Sequence, residues 1–550
     1  PDLTKGGVKD DAHDMTLGPT GARGWIWAWK ARTTDARQIL LTDVAKGSPA
    51  DGVLQKGDVI LGVDSKLFND DARIRFARTI TEAEKEKNQG SLRLVRWREG
   101  RSENVALKLP VMGAYSATAP YDCPKSKRIL ELGCQAVAKQ GWKDKKGNIA
   151  ISIQNDLKAL ALLASGRDEY RPLVAEYAAK VADHKPGGHI SWGYAYATLF
   201  LAEYVLATRD MTAMPGLHRL AVDIANGQSG VGTWGHSFAR PEDGILNGYG
   251  CMNQPGIVLT MAMAVAREAG VTAPELNRAI GKSGMFLRRF TGKGAFPYGD
   301  HAPWPEHDNN GVCSSGAVLF DLLGEREAAA FFSRMGTAAH AEREIGHTGI
   351  FFSLLWALPG VSRCGPLATG AYMKETDWYY DLARCWDGSF VYQGEPGVPR
   401  STYDGWDTTG AYLLAYALPM KRTVVTGRKP CVVPPLSPAD VTETIASGRW
   451  NLWNGQETCY DGQSVENLFA GLASWSPPVR GRSAKALSRK EGDFVPRLLT
   501  LLGGTSREAR YGACEALGLL GPRADSASAR VRALLADKDP WMRELAANAL

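Results

Sequence analysis

The residues best suited to chemistry crowd the stretch Gly294–Gly316, GAFPYGDHAPWPEHDNNGVCSSG. It sets His301 beside Asp300 and His307 beside Asp308, with Tyr298 and Trp304 close by. Two further loops follow the same plan: GTWGHSF at Gly232–Phe238 and GSFVYQG at Gly388–Gly394. Each places Trp or Phe shortly after Gly, then His or Tyr two residues on. Each leads, after a loop, into an apolar helix. Six of the nine histidines (189, 236, 301, 307, 347 and, at the margin, 184) fall in the loops that feed the starts of the apolar helices. Proton transfer at neutral pH is what such a set offers.

Two carbohydrate chemistries match these groups. A polysaccharide lyase needs a neutraliser for a uronate carboxylate, a base for the acidified proton and an acid for the leaving oxygen. A glycosidase needs two carboxyls across the scissile bond, and Asp300 or Asp308 with Asp404 or Asp407 are available. The catalytic candidates are His301, His307, Asp308, His236, Tyr298 and Asp407. The candidates for holding substrate are Trp234, Asn247, Tyr249, Asn253, Trp304, His347, Tyr403 and Trp406. His301 and His307 are six apart, which matches no standard zinc spacing. Neither a metal nor a cofactor is expected.

The positioning elements follow from periodicity. The 550 residues favour several domains, and a hydrophobic share of 44% allows large cores. A net charge of +6 with no Lys/Arg tract argues against nucleic-acid binding. No apolar run is long enough for a transmembrane helix. The nine cysteines show neither C-x-x-C nor a zinc-finger spacing, so they do not fix the compartment. The start at Pro1 suggests a removed signal peptide, hence a secreted or periplasmic protein. Residues 1–20 read as a polar arm. From 21 to 111 the period is two, with strands at Ile39–Asp43, Val59–Val63, Leu92–Trp97 and Val105–Leu109, and a helix over Asp70–Ala83 capped by Asp70. Residues 112–124 read as a linker.

From 125 to 419 the period is 3.6. Six helical hairpins begin near Asn155, Ser191, Cys251, Val312, His347 and Trp406. Residues 420–490, with Pro434–Pro435 and Pro477–Pro478, read as an irregular connection. In 491–550, Arg510, Ala513, Ala516 and Leu517 recur at constant offset as Arg543, Ala546, Ala549 and Leu550.

Three resemblances rest on these segments. Ile39–Val44, Gly47–Ala50 and Lys56–Val63, with the helix and last strands, resemble a bacterial-type PDZ domain. That implies a groove for an extended peptide or C-terminus. The usual carboxylate-loop signature is missing, with Arg23–Trp29 nearest to it, so an internal docking module is the alternative. The six hairpins resemble an (α/α)6 toroid, shared by terpenoid cyclases and protein prenyltransferases, several polysaccharide lyases and glycosidases, and complement-type thioester domains. The C-terminal repeat resembles HEAT repeats, a scaffold or binding surface. The order as a whole resembles bacterial secreted proteins with a PDZ module ahead of a toroid. Tyr249–Gln254, YGCMNQ, also resembles the thioester motif Gly-Cys-x-Glu-Gln at Cys251 and Gln254, with Asn253 in place of Glu.

The expected fold is thus multidomain and mainly α: a small β-rich PDZ-like domain, an (α/α)6 toroid and HEAT-like α-hairpins. The expected function is an exported carbohydrate-active enzyme, lyase or hydrolase, acting on an acidic glycan at a loop-lined mouth. The alternative is a non-catalytic scaffold for peptide and protein partners, and a minor one is a thioester domain.

Overall fold

The computed structural model describes residues 1–3, 8–144, 146–187, 190–303, 310–342, 344, 350–400, 403–449 and 459–550. The chain is mainly helical, with an antiparallel sheet first, a helical middle and helical repeats last.

Among the described residues the sheet has seven strands: β1 Met15–Thr16, β2 Ala22–Trp25, β3 Ile39–Val44, β4 Val59–Val63, β5 Lys66–Leu67, β6 Ser91–Arg98 and β7 Arg101–Lys108. Their order is β1-β2-β3-β4-β6-β7, with β5 hairpinned onto β4. Alternation writes β6, where Leu92 and Leu94 point into the core while Ser91 and Arg93 face out. Glu99 and Gly100, both at positive φ, make the two-residue turn into β7. Helix α1, Ala72–Ala83, buries Phe76, Ala77 and Ile80. Its cap is Asp71, whose Oδ1 accepts from the Ile74 N–H at 3.1 Å. Asp70, expected in that role, is paired with Arg75 instead. The segment read as an arm is built in from about residue 12: Met15 and Leu17 are buried, and the His13 N–H donates to the Val398 carbonyl at 2.9 Å.

The middle is built from α2 (Pro124–Gln140), α3 (Ile153–Ser165), α4 (Arg171–Asp183), α5 (Ile190–Thr208), α6 (Met214–Asn226), α7 (Asn253–Ala269), α8 (Pro274–Arg288), α9 (Asn310–Leu322), α10 (Arg326–Ala338), α11 (Ile350–Val361), α12 (Pro366–Ala383) and α13 (Thr409–Ala417). Among the described residues α3, α5, α7, α9, α11 and α13 each pack on the next, and α13 packs back on α3, closing a ring. Sequence explains which helices are inside. In α5, α7 and α13 apolar and small residues surround the axis and nearly every residue is buried. In α6, α8 and α10 one apolar stripe faces the ring and the other side is charged.

The sheet domain is locked onto the ring by buried charges. Lys125 Nζ lies 2.9 Å from Glu84 and 2.7 Å from Asp381. Arg384 joins both acids, Thr81 donates to Asp381 at 2.6 Å, and Arg73 pairs with Glu344 at 2.7 Å. Such charges are tolerated away from water only because each has its counter-ion.

Residues 420–490, expected to be irregular, contain α14 (Pro438–Gly448), α15 (Val465–Leu472) and α16 (Pro477–Ser488). Pro434–Pro435 stay outside the helices, but other prolines start helices rather than break them. Pro438 and Pro477 stand at the first helical position behind the caps Ser437 and Ser476, where a missing N–H costs nothing. Helices α15 and α16 continue into α17 (Val495–Leu502), α18 (Arg507–Leu520), α19 (Ser528–Ala533) and α20 (Pro540–Ala549) around a second core of Leu472, Leu487, Leu498, Leu517 and Met542.

Candidate functional site

A cavity of about 570 Å³ opens where the N-terminal ends of α3, α5 and α11 meet. Its lining runs from Ile151–Ile153 and Asp156 to Trp192, Gly193 and Ala197, then to Phe352. His184 from the loop into α5, and His236, Tyr298, Tyr403 and Trp406 from loops ahead of other helices, complete it. The walls are aromatic. Trp192 lies against Phe352 with centroids 4.6 Å apart, and Tyr403 meets Trp406 at 5.0 Å and Phe352 at 5.7 Å.

Asp156 is the group the sequence reading missed. It sits in the first turn of α3, behind the cap Ser152, and is almost wholly buried. Burial pushes its pKa up to about 8, against the opposing hydrogen bond from the Tyr177 hydroxyl at 2.8 Å. Neutral Asp156 accepts from Tyr177 on Oδ1 and carries a proton it can donate. No motif marks it; a lone acid in the apolar run NDLKALALLAS is the one trace it leaves.

His184, on the same cavity, is shifted the other way. Burial and then the neighbouring Arg219 lower its pKa, so its imidazole is neutral at neutral pH. His236 is fixed by the Trp192 indole N–H, which donates to its Nδ1 at 3.2 Å. That places the proton of the neutral ring on Nε2. Burial raises the Tyr403 phenol to about 12, and it raises Tyr298 as well, ahead of a smaller effect of Tyr249. Both are hydroxyl donors at neutral pH.

The expected residues separate into three groups. His236, Tyr298, Tyr403 and Trp406 are brought together on the cavity, with Tyr249 exposed at its rim, edge-on to Tyr298 at 5.3 Å. Others serve elsewhere. Trp234, expected to hold substrate, is 0% exposed and donates its indole N–H to the Ile224 carbonyl at 2.9 Å. Asn253, expected in the same role, is buried; its Nδ2 donates to the carbonyls of Pro297 (2.8 Å) and Gly299 (3.1 Å), pinning the loop that carries Tyr298. Asn247 and His301 are exposed on their loops and do not line the cavity. Asp407 is ion-paired with Lys158 at 3.2 Å and caps the Thr409 N–H at 2.9 Å, which gives it a structural part at the start of α13. Trp304, His307, Asp308 and His347 lie outside the described residues.

The three Gly-aromatic loops share a rationale. Their first rings, Trp234, Phe296 and Phe390, are buried anchors; two residues further on, His236 and Tyr298 face the cavity, while Tyr392 is buried against Tyr403. Cys251 does not present an activated thiolate. Its thiol donates to Asn253 Oδ1 at 3.3 Å, and burial pushes it up to about 11. Among the described residues no three His, Cys, Asp or Glu converge as a metal site would require.

Residues 126–427, more than half of the chain, match a family described as a domain of unknown function (DUF6288). The chain belongs to that family. The matched span takes in the whole closed ring and every lining residue of the cavity, so the DUF6288 segment and the site coincide. Residues 465–550 match HEAT repeats, which takes the repeat back to α15. A comparison with curated proteins found no match.

Proposed function

We propose that the cavity is the active site of a carbohydrate-active enzyme, in a ring of the (α/α)6 toroid kind. The observation that carries this is the opposed tuning of two groups on one cavity. Asp156 is held protonated up to about pH 8, while His184 is held neutral. An acid with a raised pKa and a base with a lowered one, flanking a common space, form an acid–base pair ready for use near neutrality. The aromatic walls supply flat faces against which sugar rings stack.

Elimination suits the site better than hydrolysis. Among the described lining residues Asp156 is the single carboxyl, where a two-carboxyl hydrolysis uses a pair. In a lyase, His184 takes the proton beside a uronate carboxyl. Asp156 returns one to the departing oxygen, and Tyr298, Tyr403 and His236 hydrogen-bond the charge that builds up between. The sheet domain fits a PDZ-like module turned to internal docking. The edge of β2 is already paired by Met15–Thr16, and α1 packs on α12. The HEAT repeats support a protein-contact surface alongside the enzyme.

The test is a panel of acidic and neutral polysaccharides read both for reducing ends and for ultraviolet-absorbing unsaturated uronate. Both signals rise on an acidic glycan, and Asp156→Asn lowers the rate roughly 10²-fold or more. Reducing ends alone would make the enzyme a hydrolase. Turnover unchanged in Asp156→Asn and in His184→Ala would remove the cavity from the chemistry.

A further inference from the structure

A second pocket, of about 370 Å³, lies at the other end of the same helices. It is lined by the C-terminal ends of α3 and α5 and by the segment after α13. Asp156 at one end of α3 and Gly166 at the other are ten residues apart, roughly 15 Å along the axis, so the two pockets are separate sites. Five cations line this second pocket: Arg167, Arg171, Lys421, Arg422 and Arg428. Two are answered locally. Arg167 pairs with Glu131 at 2.7 Å and Arg171 with Asp168 at 3.0 Å. Among the described residues Lys421, Arg422 and Arg428 make no salt bridge.

These three are not loose surface cations, because the segment that carries them is held from beneath. The buried carboxylate of Glu203 accepts from the Val424 and Val425 N–H groups at 3.0 and 3.1 Å. The buried guanidinium of Arg363 donates to the carbonyls of the same two residues. Thr423 and Thr426 bond each other, and the Arg428 N–H closes the turn on the Thr423 carbonyl. Lys421 is held at a positive φ of 50°. Arg422 lies across Gly166, where a Cβ would come within 2.6 Å of its Nε. Gly166 is itself at φ +69°, so its lack of a side chain serves both the helix end and the Arg422 position.

Cations do complement helix C-termini, but that role needs neither a concavity nor a clamped loop. The five Lys and Arg side chains of the pocket outnumber its one lining carboxyl, Asp168, and a compact anion offsets that excess of positive charge. We propose that this pocket binds a phosphate-type oxyanion, held by Lys421, Arg422 and Arg428, as a site distinct from the aromatic cavity. Arginine favours such ligands because its planar fork donates two parallel N–H bonds to adjacent oxygens.

The test is calorimetric titration of the full chain with inorganic pyrophosphate and with inorganic phosphate at low ionic strength. Both bind, pyrophosphate more tightly, and binding weakens as salt is added. Arg422→Gln and Arg428→Gln each weaken it roughly tenfold. Lys429→Gln is the control, since Lys429 pairs with Glu268 outside the pocket and its loss leaves the titration unchanged. All three side chains are exposed, and a thermal melt verifies that each variant is folded. No heat with either anion would overturn the site. So would equal weakening in Lys429→Gln, which would reduce the effect to overall surface charge.

Discussion

A single residue shows best how environment, rather than type, makes a functional group. Asp156 has its ordinary pKa near 3.8 when the chain is unfolded and about 8 in the fold, because water is removed from around it. The sign of the resulting pH effect follows. The folded state holds its proton more tightly, so the stability that the neutral carboxyl contributes is full below about pH 4 and is lost as pH rises toward 8. Wild-type protein should therefore lose melting temperature between pH 4 and pH 8 relative to Asp156→Asn. Paired thermal melts across that range measure the difference, and parallel curves would mean that the carboxyl is not buried as described. Sequence could not have singled this residue out. His236, Tyr298, Tyr403 and Trp406 were legible because they stand in unusual loops. Asp156 draws its character from burial that no local pattern records, strong enough to outweigh the opposing hydrogen bond from Tyr177 of the neighbouring helix. Trp234 and Asn253 failed in the opposite sense. Their types suit ligand contact, but one anchors the core and the other pins a loop, and residue type alone does not separate those uses.

The elements were easier to read. Long apolar stretches rich in Ala, Gly and Ser announced the inner helices, and a charged face announced the outer ones. The shorter helices α14 and α16 were hidden because Ser-Pro reads as a break until the proline is seen at the first helical position. The small residues of the inner helices also have a geometric duty. Gly360 of α11 faces Ser314 of α9, where a Cβ would sit 2.4 Å from the serine Cα. Gly360→Ala must push α9 and α11 apart, and it should destabilise the protein by about 1–3 kcal/mol, as overpacking of a tight contact does. Denaturant melts give the number. A change within error would mean that the two helices slide past each other at little cost.

The largest lesson is how the sheet and the ring become one body. Their joint is ionic and dry: Lys125 and Arg384 face Glu84 and Asp381 with essentially no water contact. Removing one partner strands its opposite charges. Lys125→Met should cost about 3–5 kcal/mol, the toll of leaving buried carboxylates unpaired, and protease sensitivity between residues 112 and 124 should rise with it. Stability within 1 kcal/mol of wild type would show that the joint is hydrated. The joint also has a consequence in time. Lys125 and Asp381 are 256 residues apart in sequence, and Glu84 and Arg384 are 300 apart. A ribosome adding roughly 5–20 residues per second needs about 15–60 s to deliver that second set of charges. Through that interval the sheet has been made, but the helix that will cover it has not. Glu84 and the face of α1 must wait in water, or in the care of a chaperone, until the far side of the ring arrives to claim them.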